Sequence, residues 1–134
     1  MRFIITSGFI QYHCGYLWRV KFVDPASDKL IDRTHTRTVA TTDPRTMIVY
    51  ISNKIGGEFL VRVLIHELGH CAMISFGLIA DIQTMVHPEY QYYAEEWICN
   101  FIADYGMLIY KSAYDIIGYD LLTYIPREIE NIIA

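Results

Sequence analysis

Residues 62–73 read RVLIHELGHCAM. His66 and His70 stand four apart, with Glu67 between them, inside a run that is otherwise almost wholly apolar. On an α-helix, positions i and i+4 share a face one turn apart, so both imidazoles can point at one ion. Glu67 lies one step round from His66, out of line for ligation but within reach of a water on that ion. These are the residue types of zinc-assisted hydrolysis. Neutral imidazoles hold Zn2+, the ion lowers the pKa of its water toward ~7, and a carboxylate takes the proton as general base. A single buried histidine is ordinarily a hydrogen-bonded core residue. Two at this spacing, with a glutamate between them, point to a metal.

Two histidines do not close a catalytic zinc site, which takes three protein ligands and keeps a further position open. The third is expected from AEEWICNFIADYG, where Glu95 and Glu96 follow His70 by 25 and 26 positions. That is far enough for the chain to turn and run a second helix back past the first. Neighbouring helical residues differ by about 100° in direction, so the two glutamates cannot easily aim at one ion. Glu96 lines up with Asn100, Ala103 and Met107. Asn100 offers a polar group to steady a ligand, and Ala103 leaves room for the histidine-bearing helix. Glu95 lines up with Cys99 and Ile102, at the margin of an apolar stripe. Spacing favours Glu96 and leaves Glu95 as the alternative. His13, Cys14, His35 and His87 are isolated in sequence and read as ordinary loop or core residues, and Cys71 and Cys99 read as small core fillers. Among eleven tyrosines, Tyr90, Tyr92, Tyr93 and Tyr105 are candidates to hydrogen-bond an oxyanion, and the sequence does not choose among them.

The elements that must position these residues follow from periodicity. From Glu58 onward, Leu60, Val63, Leu64, Leu68, Cys71 and Ile74 recur at threes and fours, predicting a helix that Gly77 ends. Gly69 on that helix would let a neighbouring backbone approach closely. A loop, DIQTMVHPEYQ, is expected next, then a second helix from about Tyr92 to about Tyr114. Its apolar stripe is Trp97, Ile98, Phe101, Ile102, Tyr105, Leu108 and Ile109, and Gly118 ends or loosens it. Pro126 fits the first turn of a short last helix, PREIENIIA. The first half reads as β. Tyr16–Asp24 is aromatic and β-branched and stops at Asp24-Pro25, and Thr46–Ser52 is a strong strand after the turn at Asp43-Pro44-Arg45. The polar stretch Arg37–Thr41 suits a strand at the sheet edge. The expected fold is α+β: a small twisted, mainly antiparallel sheet packed on the HExxH helix and on a second, glutamate-bearing helix.

Composition narrows the function classes. With 134 residues, one domain over residues 1–134 is expected. A net charge of −4 and no run of Lys or Arg argue against nucleic acid as the main partner. No stretch reaches the length of a membrane span, since Arg62 interrupts FLVRVLI. MRFIITSGFIQ has one basic residue, a short apolar run and no small-x-small cleavage site, which argues against a signal peptide. Three cysteines without metal-like CxxC spacing read as free thiols in a reducing cytosol, so a cytoplasmic setting is expected. The oligomeric state is not readable from the sequence.

HELGH followed by a helix carrying Glu96 and a polar residue four later resembles the gluzincin branch of the zincin metallopeptidases. The nearest likeness is to the minigluzincins and the small ImmA/IrrE-like peptidases common in bacterial and phage genomes. It covers His66 to about Leu108, and more loosely TVATTDPRTMIVYIS. The resemblance implies that His66, His70 and Glu96 hold Zn2+ and that Glu67 is the catalytic base. A zinc-bound water would then cleave a peptide bond, and the substrate would be a peptide or protein. A rival expectation is a zinc-stabilised binding or regulatory module with little or no turnover, acting through exposed Tyr and Trp. A third is a structural protein in which the HExxH match is accidental.

Overall fold

The computed structural model describes residues 4–6 and 8–118 of the chain. The short helix expected at PREIENIIA lies outside the described residues. Strands β1 (Ile4–Thr6), β2 (Phe9–Cys14), β3 (Tyr16–Val23), β4 (Ala40–Asp43) and β5 (Ile48–Ser52) come first. Helices α1 (Gly57–Ser75), α2 (Leu78–Met85) and α3 (Gln91–Ile117) follow, and single 3-10 turns lie at Asp28–Leu30 and Pro88–Tyr90. Strands and then helices make the α+β class that was expected.

The sheet runs β1-β2-β3-β5-β4. Its pairings are antiparallel except for β3 with β5, which is parallel, so the sheet is mixed rather than uniformly antiparallel. Parallel neighbours need a long crossover. Here the chain from Asp24 to Met47 supplies it, laying down β4 on the way. β1 and β2 form a hairpin that hydropathy alone left unassigned. Its signal is the alternation in FIQYHC, which turns Ile10, Tyr12 and Cys14 toward one core cluster and Phe9 toward another.

The two faces of the sheet have different covers. Trp18, Val20, Ala40, Val49 and Ile51 meet the α1 residues Leu60, Val63, Leu64, Cys71 and Ile74, the spacing read from the sequence. Trp18, Val49 and Ile51 are fully buried, and each such side chain contributes about 1.5–3 kcal/mol. The Trp18 indole N–H also donates to Ser75 Oγ at 2.8 Å, tying the end of α1 to the sheet. On the other face, Ile48 and Tyr50 pack on Leu30 from the first 3-10 turn. Strand β5, buried along its whole length, is thus the centre of the domain.

Some expectations are corrected. The edge strand is Ala40–Asp43 rather than Arg37–Thr41. Arg37 instead bridges to Ile31, and its guanidinium donates to the carbonyls of Pro25 and Ser27 at 2.8 and 2.9 Å. The segment expected as a loop, DIQTMVHPEYQ, continues a helix begun at Leu78 and ends in a 3-10 turn started by Pro88. Ile79, Ile82 and Val86 hold helical spacing there, and they pack with Met73 and Cys99. The largest correction concerns α3. Apart from Ile98, the stripe expected to form core is exposed: Trp97 68%, Tyr105 54% and Leu108 62%. The buried residues of α3 are Glu95 and Cys99. Among the described residues, no single helix is long and apolar enough to cross a membrane.

Candidate metal centre

α1 serves two neighbours with adjacent residues. His66 and His70 face α3, while Glu67, about 100° round, faces β4. The two helices can approach because Gly69 has no side chain. A Cβ there would lie 3.2 Å from Cys99 Sγ and 3.5 Å from its Cα. The close backbone approach expected at Gly69 is therefore made by α3 at Cys99, a small buried residue.

The histidine Nε2 atoms lie 3.1 Å apart. The Glu96 carboxylate comes to 3.3 Å from that of His66 and 3.2 Å from that of His70. Tetrahedral coordination with bonds of about 2.0–2.1 Å spaces ligand atoms about 3.3–3.4 Å apart. Glu96 makes its two contacts with different oxygens, and one ligand atom from each of the three side chains lies within 4.8 Å of the others, close enough to share a metal ion. Two imidazoles and a carboxylate suit zinc, though the donor set alone also admits other divalent transition metals.

Glu95 and Glu96 take different parts of the same histidine. Glu96 approaches the Nε2 atoms, whereas Glu95 Oε1 accepts from His70 Nδ1–H at 2.8 Å. The other Glu95 oxygen accepts from the Arg33 guanidinium at 2.9 Å. Asn100, expected to steady a ligand, is exposed, because one turn beyond Glu96 that face of α3 has left the cluster. Glu95 holds the place assigned to it.

The electrostatics follow from these contacts. Burial works against a charged His70 ring, but its bonds to Cys99, Glu95 and Glu96 outweigh it and push the pKa up to about 12. Hydrogen bonds from His66 and His70 hold Glu96 well below the ordinary carboxylate range. Burial pushes Glu95 up, but His70 and Arg33 prevail and bring it down. A metal ion would take the place of the ring protons that now balance these carboxylates.

Glu67 is buried, and its Oε2 accepts from Thr42 Oγ1 at 2.5 Å. Burial raises its pKa, while the charge on His70 and the Thr42 hydroxyl pull the other way. A carboxyl with a raised pKa beside a ligand cluster is suited to accepting a proton.

No family model, curated protein or solved structure matches the chain. The functional reading therefore rests on the chemistry of this site and on its sequence motif.

The cluster opens on a cleft of about 530 Å³ whose walls include Arg33, Thr42, Glu67 and Tyr92. Of the four candidate tyrosines, Tyr92 lines this cleft, while Tyr90, Tyr93 and Tyr105 are exposed away from it. His13 and His35 are exposed, and His87 sits 3.5 Å from Glu89, so none joins the cluster. Cys71 and Cys99 are fully buried fillers, as read from the sequence. Burial pushes the Cys71 thiol up to about 12, which leaves it unreactive. Three residues of the site were not foreseen: Arg33, Thr42 and Glu95 in its supporting place. Thr42 has a signal in hindsight, since alternation along TVATTD sends it and Thr41 to opposite faces of an edge strand. Arg33 has none, because it lies in a polar loop whose course only the fold fixes.

Proposed function

We propose that the chain is a zinc-dependent peptidase of the gluzincin type, with zincin-like packing of its sheet on the HExxH helix. In this reading His66, His70 and Glu96 hold the ion and Glu67 is the general base. The observation that carries it is the meeting of three ligand groups, with one atom of each within 4.8 Å of the others, beside a buried glutamate that points elsewhere. Zinc held there would polarise a carbonyl and make water more acidic. The chain's own part is to receive that proton on the Glu67 carboxylate and return it to the leaving amine. Thr42 fixes the orientation of that carboxylate.

A peptide or protein substrate has a natural place along β4. Ser52 N–H donates to Val39 O at 2.8 Å, and the ladder alternates from there. Thr41 and Asp43 thus pair inward with β5, while the backbone groups of Ala40 and Thr42 face outward. Among the described residues, no other backbone group takes them up. An extended substrate added at that edge would run directly past Glu67. The free thiols suit a cytoplasmic setting.

A second reading, a zinc-stabilised binding module, draws on the exposed ladder of Trp97, Phe101 and Tyr105, whose rings follow one another at 5.7 Å. Glu67→Gln separates the two. The peptidase reading expects zinc content and fold to persist while hydrolysis of a peptide library is lost. Full activity in that variant would overturn the role of Glu67. No cleavage by the zinc-loaded parent would favour the binding module.

A further inference from the structure

We infer that Arg33 is a positioning residue of the metal centre. By clamping Glu95, it holds the His70 ring with Nε2 turned toward His66 and Glu96. The inference rests on the reading of those three residues as metal ligands.

The geometry is a chain of contacts that begins outside the helices. Arg33 lies in the loop between the first 3-10 turn and β4, and that loop is held at several points. Asp32 Oδ1 accepts from the backbone N–H of Thr34 at 2.8 Å and of Thr36 at 3.0 Å. Ile31 pairs with Arg37, which is itself anchored on two carbonyls. From this base the Arg33 guanidinium crosses to α3. It stands over the Tyr92 ring, 4.7 Å from the centroid, and donates to Glu95 Oε2 at 2.9 Å. Glu95 Oε1 is taken by His70 Nδ1–H at 2.8 Å.

Both oxygens of Glu95 are therefore bonded to different elements. The carboxylate cannot rotate without breaking one bond. Freed of Arg33, it could swing away from His70, and the ring would lose the acceptor that keeps its proton on Nδ1. A histidine that ligates through Nε2 needs that tautomer, and partners that fix it typically change metal affinity 10–100-fold. Arg33 reaches the metal ligand through Glu95 and is nearly 4 Å from Glu96, at 3.8 Å.

Charge alone makes the opposite prediction. A guanidinium near a divalent cation repels it, so removing Arg33 should tighten metal binding if the residue acts only through its field. If it acts by positioning, removal should weaken binding. The sign of the effect decides between the two.

The experiment measures zinc affinity by chelator competition in the parent, Arg33→Ala, Arg33→Lys, Glu95→Gln and the double variant Arg33→Ala/Glu95→Gln. The melting temperature of each metal-free protein is recorded alongside. The expected result is an affinity about tenfold or more weaker in Arg33→Ala, partly restored in Arg33→Lys. The metal-free melting temperature should move by no more than about 4 °C, since Arg33 is half exposed. In the Glu95→Gln background, Arg33→Ala should have little further effect. Nitrogen chemical shifts of His70 should show zinc on Nε2 and the proton on Nδ1 in the zinc-loaded parent, and a mixture of ligation states in zinc-loaded Arg33→Ala. Unchanged or tighter binding in Arg33→Ala, with a parent that binds zinc, would overturn the role of Arg33 and leave the metal centre standing. A parent that binds no zinc would overturn both.

Discussion

The two ends of α3 obey opposite rules. In its first turns the helix buries Glu95 and Cys99 and half-buries Glu96, while Trp97 stands in solvent. From Phe101 onward, apolar side chains face outward, with Leu108, Ile109 and Ile116 at 62%, 54% and 82% exposure. A helix normally turns its apolar stripe to the core. Here the face that meets α1 is the one carrying the carboxylates, because the histidines they bind are on α1. Burying an unpaired carboxylate costs several kcal/mol, but a charge-paired and hydrogen-bonded one can be accommodated. Partnering of the carboxylates, together with the packing of Ala94, Ile98 and Cys99, sets which face of α3 points inward.

The strongest way to break this comparison is to remove a partner at the polar end. His70→Ala deletes the residue on which Glu95 and Glu96 both converge. Zinc affinity is expected to fall by more than about 100-fold, beyond the range of a supporting residue. The parent should gain about 2.7 kcal/mol of stability when zinc is present at a hundred times its Kd. That gain should vanish in the variant. Thermal melts with and without zinc check both statements, and a variant still stabilised by zinc would remove His70 from the ligand set.

pH gives the next largest effect, with a sign that depends on the metal. In the metal-free protein, the His70 pKa is raised from 6.5 to about 12. Its contribution to stability is fully present below 6.5 and is lost as pH rises from there through about 12. Glu67, also raised, acts in the same direction, losing its contribution above 4.5. Glu95 and Glu96 are lowered, so their contribution is present above 4.5 and lost as pH falls below it. The metal-free protein should therefore be most stable between about pH 4.5 and 6.5. Zinc binding has the opposite slope. It must displace the His70 proton, so affinity should rise about tenfold per pH unit as long as pH stays below about 12. Calorimetry in buffers of different ionisation enthalpy reads the released proton directly. Zinc binding without proton release would contradict the charge state assigned to the cluster.

Much of this was legible in the sequence, and the limits have physical causes. The 62–73 segment shows its helix, its two in-line histidines and its off-line glutamate, because i, i+3 and i+4 relations are local. Strand β5 is legible because a central strand is nearly apolar throughout, and β3 because aromatic and β-branched residues flank its Arg19 and Lys21. β4 is shifted relative to the expected strand, because an edge strand reads as polar and its bounds depend on what pairs with it. The choice between Glu95 and Glu96 looked exclusive, since one ion cannot be reached by both. Both contact His70 because an imidazole has two nitrogens, and α3 presents one carboxylate to each edge of the ring. The exposed stripe was misread because periodicity identifies a helix and its faces without saying which one has a neighbour.

Gly69 sharpens the comparison where the two helices touch. Gly69→Ala places a Cβ 3.2 Å from Cys99 Sγ, a buried atom with little room to move. Ala would gain up to about 1 kcal/mol in helix propensity. Overpacking in a filled interface costs about 1–3 kcal/mol. The net expectation is a loss of about 1 kcal/mol in the metal-free protein by denaturant unfolding. Zinc binding should weaken as well, since a shifted α3 carries Glu95 and Glu96 with it. A more stable variant with unchanged zinc affinity would mean that α3 is not closely seated at Cys99.

The smallest effects belong to the outward half of α3. Tyr105 and Leu108 are 54% and 62% exposed. Tyr105→Ser and Leu108→Ser remove apolar surface that the folded domain does not bury. The transfer gain of about 25 cal/mol per Å2 applies only to area taken out of water, so little is lost. Each variant is expected to stay within about 0.5 kcal/mol of the parent, with zinc affinity unchanged. The same substitutions would act differently if this face were covered in solution by a partner or by another part of the chain. A loss above about 1 kcal/mol, or a loss that grows with protein concentration, would show such a cover. The outward half of α3 would then follow the same rule as its polar end, its exposed face set by a partner still to be found.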